Sequence, residues 1–174
     1  MFDFDLYREG SIMSNPAMIS LFSGCGGLDC GFHKAGYKTV WANDINEWAV
    51  QTFTENFGQD IITRENIERI YPETDKNIPD CDLIIGGFPC QDFSVVWKQP
   101  GLEGDRGNLY KHYLRFIEVK RPKAFVAENV KGLLTANKGK AIEKILKDFG
   151  EVGDGYMVKI QLYNFADYGV PQFR

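Results

Sequence analysis

The sequence lacks the features that mark membrane-spanning, secreted and zinc-binding proteins. No run in its 174 residues reaches the roughly eighteen apolar residues that a transmembrane helix needs. The first ten residues, MFDFDLYREG, have no basic n-region and therefore predict no signal peptide. The four cysteines form no CxxC pair and only two histidines accompany them, which argues against a metal site or a disulfide framework. Reduced thiols and a cytoplasmic or nucleoid-associated location, without a membrane partner, are expected.

A strong excess of basic charge is also missing. The net charge of −4 argues against a protein that simply coats nucleic acid. The charge is unevenly placed, however, because residues 1–60 hold three Lys/Arg and eight Asp/Glu, whereas residues 98–147 hold twelve Lys/Arg and five Asp/Glu. The basic stretch can face phosphate backbones, or it can be the solvated surface of ordinary helices.

The pattern that is present is that of one α/β domain. Residues 1–16 are interpreted as an N-terminal leader, and residues 17–174 are long enough for one domain with a core. Apolar runs and helical periods alternate, which predicts strands over 18–22, 37–42, 83–85, 124–127 and 156–162, and helices from the glycines to about 35 and over 46–57, 108–119 and 138–148. Such alternation is typical of a mostly parallel sheet, in which ligands bind beyond the carboxyl ends of the strands.

A glycine-rich turn follows the first predicted strand. The segment Phe22-Ser23-Gly24-Cys25-Gly26-Gly27 permits a tight turn and the close approach of a ligand to the backbone. Asp44 ends the next predicted strand, where a carboxylate can accept both hydroxyls of a ribose. The spacing is GxG without the third glycine of a dinucleotide site, which favours a nucleoside without phosphates. The alternative is a turn with a structural role only.

Two further polar groups follow predicted strands. Cys90 comes directly after Pro89, which restricts the backbone, and a cysteine held rigidly at a strand end suits a nucleophile. The alternative is a small buried thiol. Glu128 follows the strand over 124–127, where a carboxyl at an apolar edge can act as an acid, or can simply be the carboxylate at a helix N-terminus.

Taken together, five segments resemble the cytosine-C5 DNA methyltransferase family. They occur in the family's order over about residues 17–174, and chance agreement of all five is negligible. The segments are Ser20-Leu21-Phe22-Ser23-Gly24-Cys25-Gly26-Gly27, Gly87-Phe88-Pro89-Cys90-Gln91, Arg106-Gly107-Asn108-Leu109, Glu128-Asn129-Val130 and Asp167-Tyr168-Gly169-Val170-Pro171-Gln172-Phe173-Arg174.

The resemblance implies a Rossmann-like domain that uses S-adenosylmethionine, with helices on both faces of its sheet. It implies that Phe22 stacks on the adenine, that Asp44 holds the ribose, and that Asn66-Ile67 occupies the place of the family's Asp-Ile adenine contact. Ser20 departs from the Asp or Asn of many members. The implied cofactor residues are Phe22, Ser23, Gly24, Cys25, Gly26, Gly27, Asp44, Ile45, Asn66, Ile67, Pro89 and Leu109.

The resemblance also implies a catalytic set made of Cys90, Glu128 and Arg174. Cytosine C5 attacks a sulfonium methyl poorly, and a thiolate that adds to C6 turns the ring into an enamine. A hydrogen bond or proton at N3 favours that addition, which is the role implied for Glu128. Because the target base is stacked in a duplex, it must first be flipped out. The polar loop over 92–105, with Gly101 and Gly104 as hinges, is expected to close over the DNA.

The resemblance further predicts parts that follow Arg174 in the family: a last sheet strand and a target-recognition domain. The expectation is therefore a catalytic half that needs a complementary C-terminal subunit, or that associates with itself, and that is nearly inactive in isolation. The alternatives are a non-catalytic subunit that binds the cofactor or a partner chain, and an enzyme that acts on RNA. The RNA-acting branch is usually marked by a Cys-Phe-Thr segment, which this sequence lacks.

Overall fold

The computed structural model describes residues 15–89 and 109–172. Its strands are β1 (Ala17–Leu21), β2 (Lys38–Asp44), β3 (Ile62–Arg64), β4 (Leu83–Gly86) and β5 (Ala124–Ala127). Its α-helices are α1 (Gly27–Lys34), α2 (Glu47–Phe57), α3 (Leu109–Lys120) and α4 (Lys140–Glu151). Short 3-10 turns lie at Gln59–Ile61, Ile67–Arg69, Lys131–Leu134, Ala136–Gly139 and Phe165–Tyr168. None of the helices in these ranges is long and apolar enough to cross a membrane.

The five strands form one parallel sheet in the order β3-β2-β1-β4-β5. The order reverses between β1 and β4, so the loops that leave these two strands diverge to opposite sides. In open parallel sheets, a crevice forms where the order reverses, at the carboxyl ends of the strands. The glycine-rich turn after β1 and the Gly87–Pro89 segment after β4 therefore border the same crevice.

Alternating side chains of the strands bury both faces of the sheet, because successive residues of a strand point to opposite sides. Ile19 and Leu21 of β1 belong to a core cluster that includes Phe116 of α3 and Phe149 of α4. Met18 belongs to a second cluster, against which Leu28 and Phe32 from α1 pack. Burying an apolar side chain of this size contributes about 1.5–3 kcal/mol. Helices cover both faces, which confirms the predicted α/β class.

A buried carboxylate ties α1 to β1 and β2. Asp29 is fully buried and accepts hydrogen bonds from the hydroxyls of Ser20 and Thr39, each at 2.8 Å. The Thr39 backbone N–H donates to His33 Nε2 at 3.1 Å, so the same strand residue also binds the end of α1. Burial raises the pKa of Asp29 above its ordinary value of 3.8, although the two hydroxyl hydrogen bonds oppose the shift. Ser20 therefore serves as a partner of Asp29 behind the glycine-rich turn.

The raised pKa of Asp29 predicts a pH-dependent stability. The folded protein binds this proton more tightly than the unfolded chain, so the contribution is fully present below pH 3.8 and is lost as pH rises through the folded pKa. We expect the unfolding free energy of the wild type minus that of Asp29→Asn to fall with rising pH, by at most about 1.4 kcal/mol per pH unit. Urea denaturation from pH 4 to pH 8 measures it. The exposed Asp60→Asn serves as a control, and a difference independent of pH would contradict the assignment.

Two elements differ from the sequence-based expectation. β3 was not predicted, because Ile62–Arg64 is three residues long and too short for an alternating pattern. The predicted strand over 156–162 is wrong, since this segment forms no strand in the described structure. Its alternation has no strand partner to pair with, and Met157 and Leu162 remain exposed. A strand requires a neighbouring ladder for its backbone groups, which the sequence pattern alone does not supply.

Candidate functional site

The turn after β1 has a backbone that few residue types adopt. Phe22 has a φ of 51°, which is unusual for a residue with a side chain, and Gly24 has a φ of 55°. Gly26 is buried against α2, and a Cβ built on it would lie 2.2 Å from a ring carbon of Phe57. Strained backbone of this kind collects at functional sites. The turn is thus closely packed from below and leaves the Phe22 ring half-buried beside the crevice.

Asp44, the last residue of β2, fixes the position of this turn. Its Oδ2 accepts the backbone N–H of Gly24 at 2.8 Å, and its Oδ1 accepts the backbone N–H of Asn46 at 2.8 Å. A carboxylate has about four acceptor positions, so each oxygen still has a free lone pair for a hydroxyl donor. The side chain is half-buried. This arrangement can hold the two adjacent hydroxyls of a sugar while also bracing the turn.

A cavity of about 300 Å³ lies at the carboxyl ends of β1, β2 and β4. The structure brings seven of the twelve sequence-predicted cofactor residues to its wall: Phe22, Asp44, Ile45, Asn66, Ile67, Pro89 and Leu109. The other five belong to the turn itself and do not line this cavity: Ser23, Gly24, Cys25, Gly26 and Gly27. Cys25 is exposed, and Gly27 begins α1. The volume lies at the small end of the range for small-molecule sites.

The cavity wall also contains Asn43, Glu65 and Glu68, which sequence reasoning missed. Asn43 is buried, and its amide Nδ2 donates to the carbonyls of Thr63 and Glu65 at 3.0 and 2.8 Å. It thereby anchors the segment after β3 to the end of β2. The sequence signal that could have identified Asn43 is its position next to Asp44 at the end of a predicted strand. Despite these acidic groups, no set of three or more His, Cys, Asp or Glu side chains in 15–89 and 109–172 is placed to hold a metal.

The far side of the cavity is braced by Arg115 of α3. Its Nη2 donates to the carbonyls of Ile67 and Ile70, and its guanidinium lies 5.3 Å from the centre of the Tyr71 ring. These bonds connect the Ile67–Arg69 turn to the helix that begins with Leu109. The adenine-side wall predicted from Asn66-Ile67 is therefore held from two directions, by Asn43 and by Arg115.

Glu128 follows β5 and lies against the segment that leads to Cys90. Its backbone N–H donates to Gly86 O at 2.8 Å, and a Cβ on Gly87 would lie 2.8 Å from Glu128 Oε2. The neighbouring Asn129 donates from Nδ2 to Phe88 O at 2.8 Å. A side chain at position 87 would make the Glu128 carboxylate move, which its exposure to solvent allows. The structure thus places Glu128 beside the Gly87–Pro89 segment.

The other two predicted catalytic residues, Cys90 and Arg174, lie outside the described residues. The same holds for the polar loop over 92–105 and for Arg106-Gly107-Asn108. Pro89, the last described residue of the nucleophile segment, lines the cavity.

A separate apolar groove of about 570 Å³ runs along β5. Its walls come from β5, from α4 and from the segment over 156–163. β5 pairs with β4 and with no other strand of the described structure. Val126, Leu162 and Tyr163 are 39%, 58% and 51% exposed there, so the groove presents apolar side chains beside an open strand edge.

Relatives of this chain include bacterial proteins named type II methyltransferases. It is 63% identical to Type II methyltransferase M.NgoFVII of Neisseria gonorrhoeae over 94% of this chain and 43% of that protein. It is 39% identical to Type II methyltransferase M.AquIA of Picosynechococcus over 90% of this chain and 68% of that protein. The chain spans less than half the length of the first of these relatives.

Solved structures and a family profile agree with the observed fold. A DNA modification methyltransferase encoded within an E. coli prophage superposes with a TM-score of 0.62 at 32% identity, over 76% of this chain and 37% of that one. DNMT2 of Spodoptera frugiperda superposes with a TM-score of 0.59 at 25% identity, over 78% and 41%. The profile of C-5 cytosine-specific DNA methylases matches residues 17–174. A parallel sheet with its glycine turn, its strand-end cavity and this match together place the chain in the C-5 cytosine-specific DNA methylase family.

Proposed function

We propose that the cavity of about 300 Å³ binds S-adenosylmethionine. The observation that carries the proposal is the contact of Gly24 N–H with Asp44, which holds a strand-end carboxylate beside an aromatic ring at the cavity wall. The residues fit a nucleoside: Phe22 offers a ring face, and both oxygens of Asp44 keep acceptor positions for ribose hydroxyls. When bound there, the cofactor supplies a methyl group activated on sulfur.

Asp44→Ala tests this placement. The variant loses the carboxylate that accepts ribose hydroxyls, so we expect binding of S-adenosylhomocysteine to weaken by about 1.5–3 kcal/mol, or roughly ten- to hundredfold in Kd. Isothermal calorimetry measures the affinity, and urea denaturation checks that the variant folds. The exposed Asp60→Ala should bind like the wild type. An unchanged affinity in Asp44→Ala would remove the basis of the proposal.

The reaction we propose is methyl transfer to C5 of a flipped-out cytosine in DNA. The Cys90 thiolate forms a bond to C6, and the ring electrons move to C5. After C5 has taken the methyl group, it loses its proton to water, and the thiolate leaves as the double bond re-forms. The position of Pro89 on the cavity wall supports this role for Cys90, because Pro89 precedes Cys90 in the chain and borders the proposed binding site of the methyl donor.

Glu128 is proposed to act as the acid partner of Cys90. Its carboxylate lies over Gly87, two residues before Pro89, so it borders the same end of the sheet as the nucleophile segment. A carboxyl that donates to cytosine N3 withdraws electron density from the ring and favours thiolate addition at C6. Closing the site around a flipped base would remove this exposed group from water. The basic stretch over 98–147 is proposed to contact the phosphate backbone.

The groove along β5 is proposed to be covered by further polypeptide, equivalent to the part of the relatives that this chain does not match. An open parallel edge with exposed apolar side chains is the observation that supports it. The same observation favours a second candidate function, a subunit that binds the cofactor and methylates nothing by itself. Target recognition belongs to base-edge contacts that such additional polypeptide would supply.

A further inference from the structure

The turn at Ile67–Arg69 carries a carboxylate with one unused oxygen. Glu68 Oε2 accepts a hydrogen bond from Asn66 Nδ2 at 3.0 Å, while the Glu68 backbone N–H donates to Asn66 Oδ1 at 3.1 Å. Within the ranges that the structure describes, no hydrogen bond or ion pair reaches Glu68 Oε1. The side chain is half-buried and lines the cavity of about 300 Å³. Glu68 therefore presents to the cavity a hydrogen-bond acceptor whose position is fixed by Asn66.

Asn66, the residue that the sequence places opposite the adenine, is poorly matched to that task. The edge of adenine presents an exocyclic amino group, which donates, and N1, which accepts. The Asn66 amide nitrogen is a donor, and its carbonyl oxygen already accepts from Glu68. A carboxylate accepts from an amino group more strongly than a neutral amide does. The Asn66 side chain is thus better suited to hold Glu68 than to bind the amino group itself.

The other glutamate of the cavity wall, Glu65, is already engaged. Its Oε1 accepts the Asn66 backbone N–H at 2.8 Å and lies 3.7 Å from Arg69 Nη1, which partly neutralises its charge. The titratable group that faces Glu68 from α3 is His112, and burial, followed by the charge of Arg115, lowers the pKa of His112. At neutral pH the His112 ring is therefore uncharged, and it does not compete as a cation for Glu68.

We propose that Glu68, positioned by Asn66, accepts the exocyclic amino group of the cofactor's adenine and so selects adenine over purines that carry a carbonyl there. The proposal rests on the proposed binding of S-adenosylmethionine in this cavity. The bonds from Asn43 and Arg115 to the segment over 63–70 keep the carboxylate at a fixed place in the wall. The selection between purines then depends on whether the group at this position donates or accepts a hydrogen bond, and not on the size of the ligand.

The test compares S-adenosylhomocysteine with S-inosylhomocysteine, in which a carbonyl oxygen replaces the amino group. The wild-type chain should prefer the adenine ligand by about 10- to 100-fold in Kd, because the inosine carbonyl meets a carboxylate. Glu68→Gln can donate to that carbonyl, so its preference should fall below about threefold. Glu65→Gln is the matched control and should keep the wild-type ratio. Urea denaturation first confirms that each variant is folded, since a general loss of folding lowers both affinities and leaves the ratio unchanged.

The outcomes separate the two proposals. If Glu68→Gln keeps the wild-type ratio, or if Glu65→Gln is the variant that loses it, the assignment to Glu68 is overturned while cofactor binding stands. If the wild-type chain binds neither ligand at millimolar concentration, the proposed function fails and this inference fails with it. Calorimetry on the full chain measures all six affinities.

Discussion

Replacing Cys90 with Ala is expected to abolish methyl transfer while leaving cofactor binding largely intact. Without the thiolate there is no addition at C6, and C5 stays too weak a nucleophile to take the methyl group. The measurement is transfer of tritiated methyl groups to mixed-sequence DNA, made with the chain and the additional polypeptide proposed to cover the groove along β5. Calorimetry with S-adenosylhomocysteine should give an affinity close to that of the wild type. Residual transfer at the wild-type rate would contradict the mechanism.

The same prediction has a covalent readout. DNA that carries 5-fluorocytosine should form an adduct that survives denaturation, since fluorine cannot leave C5 as a proton does. Mass spectrometry should locate the adduct on Cys90. Cys30→Ala is the matched control, because its thiol is exposed and is not among the predicted cofactor residues, so the substitution should leave adduct formation unchanged. An adduct on Cys25, Cys30 or Cys81 would show that the nucleophile has been assigned to the wrong residue. Glu128→Gln should slow addition by about 10²- to 10⁴-fold without moving the adduct.

Adding polypeptide equivalent to the part of the relatives that this chain does not match is expected to raise its methyl transfer from background by more than about a hundredfold, because small misplacements of catalytic groups cost that much. The experiment co-expresses residues 1–174 with the part of M.NgoFVII that the chain does not match, since that relative is 63% identical over the matched region. The groove along β5 supplies the physical reason, as its exposed apolar side chains require a cover. Robust site-specific methylation by the purified chain, free of other polypeptide, would refute this expectation.

One substitution at the groove makes the test more specific. Val126→Lys places a charge on the open edge of β5, where Val126 is 39% exposed, and should prevent the gain of activity. Val119→Lys introduces the same charge on α3 at a similarly exposed position, 37%, and should not. Binding of S-adenosylhomocysteine should be equal in both variants, because neither residue lines the cavity proposed for the cofactor. Equal activity gains would show that the groove is not the docking surface.

The sequence was sufficient for most elements and for their order along the chain, because buried strands and amphipathic helices leave periodic patterns. β1, β2, β4 and β5 and all four α-helices of the described structure match predicted segments within a few residues. β3 and the segment over 156–162 were missed or misassigned for one reason. Strand formation depends on pairing between two segments, which the pattern of one segment does not show. β3 is too short, at three residues, to show alternating hydrophobicity, and the alternating segment over 156–162 has no neighbouring strand to pair with.

Sequence analysis identified the cavity residues that belong to recognisable segments. It missed the residues whose role depends on contacts formed only in the folded chain. Phe22 and Asp44 stand in recognisable segments, and the structure brings both to one wall. Glu68 and Arg115 carry no sequence signal, because their importance comes from a turn and a helix that meet only in the folded chain. The pairing of Ser20 with Asp29 is of the same kind, since it depends on the contact of α1 with β1.

The position of β1 in the middle of the sheet sets an order of assembly. On one side β1 pairs with β2 across a single helix, whereas on the other side Met18 pairs with Leu83, far along the chain. Local pairings close sooner than distant ones, so β1, β2, α1 and α2 can form a first unit during synthesis. The face of the sheet that carries Ile19 and Trp41, opposite to the one covered by α1, then stays exposed until α3 and α4 have been synthesised. A nascent chain that stalls before residue 109 would expose this face, and chaperones that bind apolar surface would retain it there.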